Sequence, residues 1–116
     1  MREERLRATA GLKDAINLSS WRGRSGRRYV VGVHAMTETD LLDLTDAIIL
    51  AVRREAGGEA RLIDIATAGP KPRDRLRKSW MSTVRARGAT EMHVHRLAES
   101  DEARRAIVDD LREEAR

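Results

Sequence analysis

"AIILAVRREAGGEARLIDIATA", residues 47–68, decides how this chain folds. Read at a period of 3.6, Ala47 through Val52 continue a helix that starts near residue 40. Read at a period of two, Ile48, Leu50 and Val52 alternate with Ile49, Ala51 and Arg53, and residues 47–54 become one arm of a hairpin. The second arm is then residues 60–67, with Gly57-Gly58 in the turn between them. A short apolar run does not separate helix from strand by period alone, and the Leu and Ala content tips residues 47–54 toward helix. Residues 60–67 are a strand in both readings. Ile63 and Ile65 face one side of it, Leu62 and Asp64 the other.

Beyond this stretch, Gly69-Pro70-Lys71-Pro72 is a rigid break. It leads into a predicted helix over 72–87, with Pro72 in its first turn and Gly88 placed to stop it. Leu76, Trp80 and Val84, spaced by four, mark the expected buried stripe, with Met81 beside it. Thr90 to Leu97 read as a strand: Met92 and Val94 face one way, and Glu91, His93 and His95 the other. Ser100 is placed to cap a last helix, with Asp101 and Glu102 in its first turn complementing the dipole. Ala103, Ile107, Val108 and Leu111 form the apolar face of that helix.

On the amino side, "GRSGRRYVVGVHAM" reads as a turn and a strand, with Tyr29, Val31, Val33 and Ala35 on one face and Val30, Gly32, His34 and Met36 on the other. Thr37 and Asp40 form a capping box ahead of Leu41, Leu42 and Leu44, which predicts a short helix. Residues 2–18 carry an amphipathic helical pattern, weakened by Gly11. The expected organisation is an N-terminal helix or arm over residues 1–20 and one α+β domain over 21–116. The domain is built on a central, mostly antiparallel sheet of three or four strands flanked by helices.

A chain of 116 residues suits one domain with a real core. Hydrophobic residues make up 41% but aromatics only 3%, with no Phe, so the core is aliphatic. Cysteine is absent, which removes disulfides and thiolate metal sites. No stretch has the length and apolarity to cross a bilayer, and the amino end lacks the apolar core of a secretory signal. The expectation is a cytoplasmic protein without a membrane partner.

Net charge is +4, and the distribution says more than the total. Residues 21–28, "WRGRSGRR", hold four Arg and no acid; residues 71–88 hold seven bases against Asp74 alone. A surface helix with so few acids forgoes its i,i+4 ion pairs. Contact with phosphates explains that omission, and so does docking on an acidic protein. The residues expected to touch nucleic-acid phosphates are Arg22, Arg24, Arg27, Arg28, Arg73, Arg75, Arg77 and Lys78. The partner is DNA or RNA on the first reading, and an acidic protein or a second copy in a homodimer on the alternative one. The Gly-containing turn "RGRSGRR" lacks the Gly-Lys-Ser/Thr ending and strand-loop-helix setting of a phosphate loop.

His93 and His95 lie on one strand face, close enough to share a metal, but a closed site needs a third or fourth ligand. Glu91 and His34 are the available candidates. The plainer reading is a polar strand face under a helix, and no metal or cofactor is expected.

Six stretches occur together in one order: "WRGRSGRRY", "AIILAVRR", "ARLIDIATAG", the Arg-rich helix, "GATEMHVHRL" and "DEARRAIVDDL". Together, over roughly residues 21–112, they resemble a proteobacterial branch of GIY-YIG-like domains, small α+β nuclease-fold domains on an antiparallel sheet. The resemblance implies a hairpin at 47–67 rather than a helix. It also implies that the activity is lost. The two motifs align near Ala47-Ile48-Ile49 and Asp64-Ile65-Ala66, and neither has its tyrosine. The helix arginine is matched by Arg75 or Arg73. The metal-binding glutamate falls near Val108, whose side chain has no oxygen to offer a hard cation. Neighbouring Asp109 and Asp110 are the substitutes for a residual nuclease built with Asp64 and Arg75. The leading expectation is a non-catalytic binding module.

Overall fold

The computed structural model describes residues 2–5, 17–36, 42 and 44–112. Six strands, β1 (Arg2–Arg5), β2 (Leu18–Arg22), β3 (Arg28–Ala35), β4 (Ala47–Arg54), β5 (Ala60–Ala68) and β6 (Glu91–His95), and two helices, α1 (Asp74–Ala86) and α2 (Asp101–Leu111), follow each other along the chain. The strands form a single sheet in the order β1-β2-β3-β6-β4-β5, and each neighbouring pair is antiparallel. The α+β class with its antiparallel sheet is the expected one, but the sheet is wider than three or four strands.

Residues 47–54 are strand β4, not helix. The reason is burial on both faces: every residue from Ala47 to Val52 is buried. Ile48, Leu50 and Val52 join Trp21, Tyr29, Val31 and Ile65 on one side, where Leu111 of α2 packs. Ala47, Ile49 and Ala51 join Met92, Val94 and Met36 on the other, under Met81 and Val84 of α1. A strand paired on both edges and covered on both faces reads as a continuous apolar run, which also imitates a helix. The hairpin turn holds Gly58 at φ 94, a conformation that suits glycine, and Gly58 N donates to Glu55 O at 2.9 Å.

The helical pattern of residues 2–18 gives way at both ends to strand. Arg2–Arg5 pair with β2, and Leu18 already belongs to β2; residues 6–16 lie outside the described residues, as do Thr37, Asp40 and Leu41 of the expected capping box. Leu42 sits in a short turn and Leu44 is buried in the core. β2 and β3 make a hairpin across residues 23–27, with Trp21 opposite Tyr29.

The sheet coils until β1, at one edge, approaches β5 at the other. Its concave side carries Trp21, Tyr29, Leu50, His93 and Glu3, and α2 packs against it. Its convex side receives α1. At the β5 edge, backbone acceptors turned away from β4 are met by side chains: Arg87 Nη2 donates to Ile63 O at 3.1 Å and Arg112 Nη2 to Ile65 O at 3.5 Å. Asp64 Oδ1 accepts from Ile65 N at 2.9 Å.

α2 begins as the sequence indicates: Ser100 Oγ accepts from Ala103 N at 3.0 Å, with Asp101 and Glu102 in the first turn. Replacing Ser100 with Ala is expected to lower stability by about 1 kcal/mol in chemical denaturation; an unchanged midpoint would show that the cap contributes nothing. α1 stops at Gly88, φ 104, as expected, but it is rotated about its axis relative to the predicted stripe. Arg77, Met81 and Val84 are its buried residues, while Leu76 is 61% exposed. No described helix is long and apolar enough to cross a membrane.

Candidate anion-binding cleft

The end of β5, the connection that follows it and the first turns of both helices enclose a cleft of about 630 Å³. The Gly69-Pro70 break produces it by carrying the chain off the sheet edge before α1 starts. Lys71 and Arg73 stand on the connection, Arg77 and Trp80 on α1, and Arg104 and Arg105 on α2. Arg77 is buried and engaged within the chain, and burial pulls its pKa down while Asp74, one turn earlier, supports its charge. Trp80 is held by its Nε1–H, which donates to Asp64 Oδ2 at 2.9 Å. Arg104 is fixed by Asp101 at 2.7 Å, by Asp46 at 3.7 Å and by Ala98 O at 3.1 Å. Among the described residues, Lys71, Arg73, Arg75, Lys78 and Arg105 have no carboxylate partner.

Of the residues expected to bind phosphate, the structure gathers only Arg73 and Arg77 into this cleft. Arg75 and Lys78 are exposed on the solvent side of α1. The turn that holds Arg24 and Arg27 lies elsewhere, docked on the carboxyl end of α2. Asp110 accepts from Ser25 N at 2.8 Å, from Ser25 Oγ at 2.7 Å and from Tyr29 Oη at 2.7 Å. Arg24 donates from its backbone N to Asp110 O and from its side chain to Asp109 O. Gly23 is required here, because a Cβ would collide with the Asp110 carboxylate. Arg22 and Arg28 face each other across β2 and β3 and are engaged within the chain. The turn and the cleft thus use opposite ends of α2. Arg105 and Lys71 escaped the sequence reading. Arg105 lies on a helix whose net acidity hides it, and Lys71 counts among the seven bases of residues 71–88 without being assigned a phosphate contact.

His93 and His95 lie on a covered strand face in the interior, with exposures of 0% and 4%. Trp21 Nε1–H donates to His93 Nδ1 at 2.9 Å, so the ring proton sits on Nε2 and is given to Glu91 Oε1 at 2.9 Å. His95 Nδ1 lies 2.7 Å from Val30 O. Arg54 bridges Glu3, at 2.7 and 3.0 Å, and Glu91, at 2.9 and 3.1 Å. Ser19 also hydrogen-bonds Glu3, whose carboxylate is held below its usual range by these bonds in spite of burial. Burial pushes the His93 pKa down, against the pull of Glu91 and Glu3. This is a closed polar core that ties β1, β2, β4 and β6 together. His34 lies on the opposite sheet face, opposite Met92. Asp64 and Asp110, the acids of a residual nuclease, are likewise on opposite faces, Asp64 under Trp80 and Asp110 against Ser25.

No known protein family, curated protein or solved structure matches this chain.

Proposed function

We propose that this domain is a non-catalytic module that binds nucleic acid by its phosphates, using the cleft and the adjoining solvent face of α1. The observation that carries the reading is the set of five cations, Lys71, Arg73, Arg75, Lys78 and Arg105, left without an internal carboxylate among the described residues. Side chains that are not paired within the fold are available to neutralise phosphates and release counterions. The Trp80 ring beside Arg77 adds a surface for an unstacked base, which favours single strands over duplex. The resemblance to an inactivated GIY-YIG domain fits the same reading: the 47–68 hairpin lacks both tyrosines, and Asp64 and Asp110 do not meet.

The test is fluorescence anisotropy with labelled single-stranded DNA, duplex DNA and RNA across a salt series. Binding should weaken steeply with salt, and Arg73→Glu with Arg75→Glu should remove it at moderate salt. Neutralising one of these cations should lower the log–log salt slope by about 1. Absence of binding to every form at about 50 mM salt would end the proposal.

A second reading, an acidic protein partner, draws on Leu76, 61% exposed at the rim of the cleft. It expects Leu76→Ser to weaken binding to an acidic polypeptide while leaving nucleic-acid affinity unchanged.

A further inference from the structure

Resting on that reading, we propose that the backbone of Thr67, at the end of β5, reads the pairing edge of an unpaired base whose phosphates lie on Lys71, Arg73 and Arg105. The hydrogen-bond pattern of the sheet carries this. Val52 O accepts from Thr90 N at 2.7 Å, so Val52 turns its backbone polar groups toward the β6 side. In an antiparallel ladder that direction alternates from residue to residue. Leu50 and Ile48 therefore also face β6, while Ile49 and Ala47 face β5, where Ala66 and Ala68 stand opposite them. Ile65 and Thr67, opposite Leu50 and Ile48, turn their N–H and C=O groups out of the sheet.

Those outward groups are treated unequally. Ile63 O is met by Arg87, Ile65 O by Arg112 and Ile65 N by the Asp64 carboxylate. On the other side, Gly69 O is taken by Asp46 N at 2.9 Å. Among the described residues, the N–H and C=O of Thr67 have no partner, and Thr67 is exposed and lines the cleft. One donor and one acceptor stand side by side where the cleft opens on the sheet edge.

That pair selects among ligands. A peptide strand added to a sheet edge needs alternate residues in succession, and the positions at Ile65 and Ile63 are closed. A nucleobase needs only one adjacent donor and acceptor, and an unpaired base carries them on its Watson–Crick edge. Trp80, half-buried on the α1 wall and held by its bond to Asp64, offers a ring for the base to stack on. Lys71 and Arg73 on the connection and Arg105 on α2 line the same cleft and suit the flanking phosphates. A base inside a duplex has this edge occupied, so the site takes single strands. At about 630 Å³ the cleft has the volume of a small-ligand site, enough for one nucleotide unit.

The experiment titrates the full chain with two short labelled single strands at low salt, one of thymidine and one of N3-methylthymidine. The methyl group blocks the donor on the pairing edge and leaves ring and phosphates in place. The thymidine strand should bind about tenfold tighter, the scale of one or two lost hydrogen bonds. Thr67→Pro removes the outward N–H and leaves the ladder to β4 intact, a change that an edge strand tolerates. It should erase the preference by weakening the thymidine strand alone. Thr67→Ala keeps the amide and should keep the preference; loss there would put the contact on the hydroxyl and overturn the backbone assignment. If Thr67→Pro fails to fold, the Thr67 amide proton of the unaltered chain supplies the test by nuclear magnetic resonance. It should move downfield with the thymidine strand and stay near its free position with the methylated one; equal shifts overturn the assignment. Equal affinity of the unaltered chain for both strands overturns base-edge reading and leaves the proposed function standing. Failure of both strands to bind removes both.

Discussion

Replacing Arg54 with Met should destabilise the domain by about 3–5 kcal/mol, a large share of the stability of a chain this size. Arg54 pairs with two carboxylates at once, Glu3 and Glu91, whose side chains are 5% and 20% exposed. The methionine fills most of the volume, so the loss is electrostatic. Two carboxylates then remain in the core without their guanidinium, beside the His93 imidazole and the Ser19 hydroxyl. Removing one partner of a buried ion pair is far more damaging than removing the pair, because a charge is left without compensation. Adding Glu3→Gln to the same chain should therefore restore part of the stability. The measurement is urea denaturation of the three proteins. A loss under about 1 kcal/mol for Arg54→Met would show that water reaches the cluster and that it is not closed.

The second large effect is acid unfolding in two stages from the same cluster. His93 is buried, and its folded pKa lies below its unfolded one. Between those two values the unfolded chain binds more protons than the folded one, so stability falls as pH drops through about 6.5 toward the lower, folded value. Glu91 and Glu3 have depressed folded values, chiefly because Arg54 hydrogen-bonds them, although burial works in the opposite sense. Their contribution is present above the unfolded carboxylate range and is lost as pH falls below it through the folded values. Both stages run in one direction, with the imidazole acting first. His93→Gln retains an acceptor for Trp21 and a donor for Glu91 but cannot titrate. Its stability should stay flat through the first stage and fall only in the second. A first stage that survives in His93→Gln would assign it to another group.

Much of this fold was legible because local signals were unambiguous. Ser100, Asp101 and Glu102 announce the start of α2, Gly88 the end of α1, and the alternation of Tyr29, Val31 and Val33 the inner face of β3. The errors share a cause, which is that tertiary partners overrode local pattern. Ala47 to Val52 look helical because both their faces are buried. "LSSWR" looks like a helix end because Ser19 and Ser20 are polar, yet both are buried and Ser19 serves Glu3. The Gly-containing loop between Trp21 and Tyr29 was the hairpin signal that would have found β2. Leu76 and Arg77 exchange their expected places, Arg77 buried and Leu76 exposed, because the helix is rotated so that the Arg77, Met81 and Val84 face meets the sheet. As for the candidate site, the cationic character of α1 could be read directly. Its division from the turn at Ser25 could not, because only the fold sends α1 and α2 to opposite faces of the sheet.

The two guanidiniums that cover Ile63 O and Ile65 O have a bearing on how copies of this chain behave in a crowd. An open rim of a sheet is a template on which any stray extended peptide can grow, and growth of that kind ends in fibrils. Here two of the acceptors such a peptide would need, at the middle of the rim, are already occupied, and each occupant brings a positive charge that another copy, itself cationic, would meet. Growth of stacked strands from the middle of this rim is therefore disfavoured, which lowers the tendency of the protein to form the deposits to which flat, uncovered sheets are prone.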